Sequence, residues 1–181
     1  MRRAALRIAL AAATVAFAVP ANANWIASGQ VRYQHREWDR TGFTGAVVDL
    51  PVRYADVEVV DPTKSSSKAH LAWGKTDAAG NFSVPVSDAT SRSKVRVRIL
   101  TQTTQTSDLY VKVTTPGGSI YAATSSDNNN HGPNTNVNWG TMVALAFAGG
   151  EAFNILDRAI YGADFIKALT GSRPSSSKLV T

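Results

Sequence analysis

Three histidines, His35, His70 and His131, are all the imidazole the chain carries, and their spacing is where metal or acid–base chemistry would first show. A helix-borne zinc hydrolase needs His-Glu-x-x-His, which sets two ligands one turn apart with a glutamate base between them. The three histidines are widely separated and none opens that pattern. With no cysteine in the sequence, thiolate catalysis, Cys-ligated metals and disulfide staples are excluded. The run Asp127-Asn128-Asn129-Asn130-His131-Gly132 approaches a calcium loop, D-x-[DN]-x-[DN]-G, and fails twice. His131 occupies the third ligand position, and Asn138 stands where a bidentate glutamate is required. This run reads as a solvated polar loop. No G-x-S-x-G elbow exists, and the serines cluster in turns. Asp56 and Glu58 lie on what reads as the polar face of a strand, where solvation accounts for them. The residues therefore assign no catalytic, cofactor-binding or metal-binding position.

Non-covalent recognition has two candidates. Lys94, Arg96 and Arg98 alternate with apolar residues in KVRVRIL and form a basic row, placed beside Tyr110 and Lys112. Such a row suits an anionic polysaccharide or lipid head group, and serves equally as a solvated face that discourages edge pairing. Trp25, Trp38, Trp73 and Trp139 offer faces on which a sugar can stack. Trp73 and Trp139 sit in strand-like runs and are expected in the core, whereas Trp38 lies in a loop and is the best exposed candidate.

These residues are set in a chain that opens like a secretion leader. Arg2 and Arg3 precede an apolar run from Ile8 to Val19, Pro20 ends it, and Ala21-Asn22-Ala23 supplies a small-x-small cleavage pattern. The run is about 12 residues, too short for a membrane span of about 20. RRAAL lacks the remaining residues of a twin-arginine signal. The mature chain is expected to start at Asn24, in the periplasm or outside the cell. Arg2, Arg3 and Arg7 leave with the leader, so the 19 basic residues fall to 16 against 13 acidic ones, a net charge of +3. An excess that small, without a Lys/Arg run, does not point to nucleic acid. Removing 23 of 181 residues leaves 158, enough for one core.

The elements that must position everything else are mostly strands. Period-two alternation marks residues 26–36, 54–62, 69–77, 81–88 and 94–100. A hairpin is expected over 107–125, turning at Pro116-Gly117-Gly118 and burying Leu109, Val111 and Val113. Residues 136–147 read as a last strand, and 38–51 and 125–136 as loops. The fold class is mostly β: an antiparallel β-sandwich of about seven or eight strands with a C-terminal amphipathic helix. The boundaries are leader 1–23, sandwich 24–147, helix 148–171 and a tail 172–181 with no element of its own. Along the helix Phe153, Leu156, Ile160 and Ala163 follow 3-4-3 spacing, and Ile155, Ala159 and Ile166 widen the apolar face. Asn154, Asp157, Arg158, Tyr161 and Asp164 leave a narrower polar stripe. A face that wide suits contact with two surfaces: the sandwich, and a domain this chain lacks. The alternative is a helix folded over the sandwich alone.

Within residues 57–86, Thr76-Asp77 starts a turn, Gly80 supplies positive φ, Asn81 leaves the turn and Phe82 re-enters the core. Together with Val57, Val59, Gly74 and Val84, this T-D-x-x-G-x-F device resembles the transthyretin-like, or carboxypeptidase regulatory-like, β-sandwich modules over residues 26–125. The resemblance implies that these residues build the fold, so Asp77 is structural. Phe153, Asn154, Ile155, Asp157, Gly162, Ala163, Asp164 and Phe165 resemble the helix that follows such a module in secreted proteins with a zincin-type metallopeptidase region. The zinc motif of that family is missing here.

The expected function is a secreted, non-catalytic accessory or interaction module, the front of a larger extracytoplasmic protein. An incomplete metallopeptidase-like protein and a carbohydrate-binding module are the alternatives. The expected partners are a missing C-terminal domain, or a protein or glycan at the helix or the basic strand face. Nucleic acid and cofactors are not expected.

Overall fold

The structure, a computed structural model, describes residues 24–104, 109–173 and 179–180. The leader expected over residues 1–23 lies outside them. In chain order the elements are β1 (Trp25–Asp39), β2 (Gly42–Pro51), β3 (Asp56–Val60), α1 (Ser66–Ala69), β4 (His70–Lys75), β5 (Asn81–Val86) and β6 (Arg92–Leu100). There follow β7 (Val111–Lys112), β8 (Ala122–Thr124), β9 (Asn128–His131), β10 (Val137–Ala144), α2 (Gly150–Thr170) and β11 (Leu179–Val180). The fold is the expected mostly-β one, built of two main sheets with a C-terminal helix.

β1 is the axis of the first sheet. Its first half pairs antiparallel with β5 and its second half with β2. Val31 marks the change of partner: its N–H donates to the Gly80 carbonyl at 2.8 Å, and its carbonyl accepts from the Val52 N–H at 3.0 Å. Gly80 is confined to glycine on two counts. Its φ is +78°, and a Cβ there would lie 2.4 Å from the Val31 oxygen. The second sheet runs β4-β3-β6-β8, with β9 also on β6.

Several expectations about elements are corrected. Residues 38–51 are not a loop: from Gly42 the chain pairs with β1 as β2. Both faces of β2 are exposed from Gly42 to Asp49, so no burial alternation existed to read, and partner strand outweighed composition. Asn128–His131, also expected in a loop, forms β9 because β6 supplies its backbone partners. Finally, the sandwich is not wholly antiparallel. β10 lies parallel to β1, with Ala27 opposite Val137 and Tyr33 opposite Ala144. A parallel neighbour needs a long crossover, and here nearly the whole domain intervenes.

The 107–125 hairpin is shorter than expected. An isolated bridge joins Thr114 to Ile120, and β8 pairs with β6 rather than with β7. Leu109, Val111 and Val113 are buried as expected. Leu179–Val180, placed in a tail without elements, pairs parallel with Val111–Lys112.

The core lies between the sheets, from Trp25, Val31 and Tyr33 on β1 to Val57, Val59, Val95, Val97 and Ile99 on β3 and β6. α2 lies against β1 and β7 and contributes the expected stripe, Phe153, Leu156, Ile160 and Ala163. Its N-cap Gly149 has φ +102°, and Glu151 Oε1 accepts the Phe147 N–H at 2.8 Å, placing an acidic group at the positive end of the helix. At the other end Gly171, φ +80°, donates to the Lys167 carbonyl at 2.8 Å.

Candidate functional site

The structure engages the carboxylates that chemistry would need. Asp56, expected on a solvated face, is fully buried. Its Oδ2 accepts from the Thr104 N–H at 3.1 Å and from the Thr104 hydroxyl. Neighbouring chain covers the outside of β3 at that point, which alternation within β3 cannot reveal. Glu58 takes Arg98 at 2.8 Å and stands 3.6 Å from His70 Nδ1. Asp77 is a turn acceptor as expected: Oδ1 receives the Ala79 and Asn81 N–H groups, each at 2.8 Å, and Oδ2 the Asn81 amide at 3.2 Å. Thr76 goes further than starting that turn. Buried, it accepts the Ala55 N–H on Oγ1 at 2.9 Å and donates its own N–H to the Ala55 carbonyl at 2.9 Å.

Arg92 bridges Asp88 at 2.8 Å and Asp61 at 3.2 Å. Burial pushes both carboxyls up, but hydrogen bonds from Thr63 and Arg92 to Asp61, and from Arg92 and Thr90 to Asp88, outweigh it and hold both below the ordinary carboxylate range. Arg53 holds Asp157 at 2.6 Å, and the Tyr33 phenol donates to the same carboxylate at 3.1 Å. Burial first, then the Asp157 charge and hydrogen bond, raise the ionisation of Tyr33 well above its usual range, so it stays a donor. Asp157, in the polar stripe of the helix, is therefore tied to the sandwich by both groups.

The basic row is real but compensated. Lys94 and Arg96 both meet Asp127 at 3.1 Å, and Arg98 meets Glu58. Its neighbours are β3, β8 and β9, not Tyr110 and Lys112. Asp127, the first residue of the calcium-like run, is thus an ion-pair partner. The final residue of β9, His131, is buried against Trp25 with ring centroids 4.4 Å apart. Its Nε2 meets the Thr135 carbonyl at 2.8 Å, which makes that nitrogen the protonated one. The run is thus a strand rather than a loop, with Asn129 and Asn130 exposed and His131 buried.

His35, on β1, and His70, stacked on Trp73 at 4.8 Å, are not brought to His131. Among the described residues, no three histidine, aspartate or glutamate side chains gather closely enough to hold a metal ion. Of the tryptophans, Trp38 is exposed as expected, at 71%. Trp73 corrects its expectation: it is 41% exposed, because β4 is an edge strand. Trp25 is buried, and Trp139 packs against the core.

What no motif indicated is a cleft. The sheets meet along β4 and β5, where a Cβ on Gly74 would lie 2.4 Å from Val84 Cγ2. On the opposite side, β8 and β10 stand apart around an open cleft of about 710 Å³. The Trp139 Nε1–H donates to the Ser126 carbonyl at 3.1 Å and ties the two rims together. Among the described residues, no carboxylate, lysine, arginine or histidine lines the cleft; Ala, Ser, Thr and Gly predominate, with Tyr121, Trp139, Met142, Val143, Leu145 and Phe153. The only sequence signal was the run Ala122-Ala123-Thr124-Ser125-Ser126, whose side chains are too small to close the gap. A trough of this kind can hold a neutral ligand, with the Tyr121 phenol and the serine and threonine hydroxyls as its polar groups.

The described residues thus form a two-sheet β-sandwich closed on one side, open on the other and braced by a C-terminal helix. Comparison with known families makes this specific. The Mycolysin middle domain matches residues 26–148, that is 123 of the 181 residues, and the chain belongs to that family. The match ends just before α2. Among solved structures, a 9R-lipoxygenase from Cyanothece PCC8801 is similar at 16% identity and a TM-score of 0.35, a likeness too slight to argue from. It covers 74% of this chain, which spans 18% of the lipoxygenase. No curated protein matches. Among the described residues, no helix is long and apolar enough to cross a membrane.

Proposed function

We propose that the chain is an extracytoplasmic, non-catalytic accessory module of a peptidase-related protein, one that holds and positions a partner. The supporting observation is where the carboxylates go: Asp56, Glu58, Asp61, Asp88, Asp127 and Asp157 each bind a hydroxyl, a backbone N–H or a cation of the scaffold itself. Acids committed in this way stabilise a fold and are not poised for proton transfer. The turn built by Asp77, Gly80 and Asn81 supports the transthyretin-like module as the finer description. The test is incubation of the purified chain with peptide and ester libraries, with and without added zinc. No hydrolysis is expected; chelator-sensitive proteolysis would overturn the reading.

One observation favours a covalently linked catalytic partner. α2 lies outside the matched segment and exposes Ile155, Phe165, Ile166 and Leu169 while burying a different stripe. In this reading the second stripe packs on a further domain of a longer protein. An H-E-x-x-H pattern in the DNA beyond the codon for Thr181 supports it, and the absence of one in every frame counts against it.

A further inference from the structure

We infer that the cleft between β8 and β10 is a strand-acceptor site for an uncharged, extended peptide. Each rim is a sheet edge: among the described residues, β10 pairs with β1 alone, and β8 with β6 alone. Their outer backbone edges flank the same opening. Unpaired edges on natural sheets are usually blunted by lysine, other charges or proline. Other outer strands here follow that habit, with Lys75 on β4 and Asp49 and Pro51 on β2. β10, VNWGTMVA, and β8, AAT, carry no charge and no proline. β10 has an irregularity opposite Ser28–Gln30, with Gly140 at φ +65°, and its regular edge is Thr141–Ala144.

The volume also fits. The opening is about 710 Å³, within the usual range for ligand sites of about 300–1,000 Å³ and comparable to a short run of small residues. It is one strand short of a closed sandwich. A strand laid along β10 would gain main-chain hydrogen bonds, with side chains on one of its faces entering the trough towards Ala123 and Met142. An uncharged occupant is required because the lining offers no counter-ion, and an unpaired charge buried there would be costly. The inference holds whether or not a catalytic domain accompanies the chain, since it rests on the edges and the lining of the cleft itself.

The probe is an array of N-acetylated, C-amidated hexapeptides composed of Ala, Val, Thr, Ser, Leu and Phe, incubated with the full chain. A second array carries the same sequences N-methylated at alternate residues, in both phases, which removes strand hydrogen bonding and keeps the apolar surface. Binding to a subset of the first array is expected, with affinity lower by about tenfold or more in at least one methylated phase. Ala123→Trp, which fills the trough, is expected to abolish binding with circular dichroism unchanged. If that variant misfolds, the methylation comparison still decides. Failure of every hexapeptide to bind, or equal binding of both arrays, would overturn the inference. So would a dimer in sedimentation velocity that bound peptide does not dissociate, since a second copy would then own the edge. Peptide binding together with hydrolysis would sink only the non-catalytic reading.

Discussion

The Tyr33 phenol of β1 donates to Asp157 of α2 across 124 positions of sequence, at 3.1 Å, and Arg53 completes the same carboxylate at 2.6 Å. The helix is therefore fixed to the sandwich by a partly buried polar clamp as well as by its apolar stripe. Replacing Asp157 by Asn leaves Arg53 only the more distant carboxylate of Asp164, at 4.0 Å. The expected loss is about 1–3 kcal/mol, read as a lower urea midpoint. An unchanged midpoint would show that the clamp contributes nothing net.

Acid sensitivity should centre on Arg92. Asp61 and Asp88 titrate below their ordinary value of 3.8 in the fold. Groups lowered in this way stabilise fully above that value, and the contribution disappears as pH falls through the lower folded values. Arg92→Met should therefore destabilise the chain at pH 6 and flatten the fall in urea midpoint between about pH 5 and pH 2. Parallel curves for wild type and variant would refute this assignment.

Two glycines should respond with opposite signs. At Gly74 an added Cβ meets Val84 at 2.4 Å where the sheets touch, so Gly74→Ala should cost about 1–3 kcal/mol. Gly162 has nothing within 4 Å of such an atom and sits inside α2. Gly162→Ala should stabilise by about 0.5–1 kcal/mol. Thermal melts of the two variants check both signs together.

The two apolar stripes of α2 can be separated by mutation. Ile160 is fully buried, and Ile160→Ala should cost about 2–5 kcal/mol. Leu169 is 71% exposed, and Leu169→Ser should stay within about 0.5 kcal/mol of wild type. A large loss at Leu169 in the isolated chain would mean that this stripe already has a partner there.

Much of the architecture could be read from period. KVRVRIL announced β6 because Val95, Val97 and Ile99 are buried while the basic residues between them face outward. The 3-4-3 spacing of Phe153, Leu156, Ile160 and Ala163 announced the buried side of α2. β2 was illegible for the same reason: with both faces exposed it has no period, and only β1 beside it makes it a strand. Asp56 and Trp73 were misplaced because exposure on a strand depends on what lies beyond it. Thr104 covers the one, and β4 being an edge bares the other.

By itself, the sequence determined the absence of thiol chemistry, the turn from Thr76 to Phe82 and the alternation of the core strands. These are local matters, decided by side-chain chemistry and by φ preferences over a few residues. Tertiary structure alone decided that β10 runs parallel to β1, that the carboxylates find scaffold partners and that the sandwich gapes between β8 and β10. Each of these is a meeting of segments distant in the chain, fixed by which hydrogen-bonding edges and apolar faces satisfy one another, and no local window contains both members of the pair.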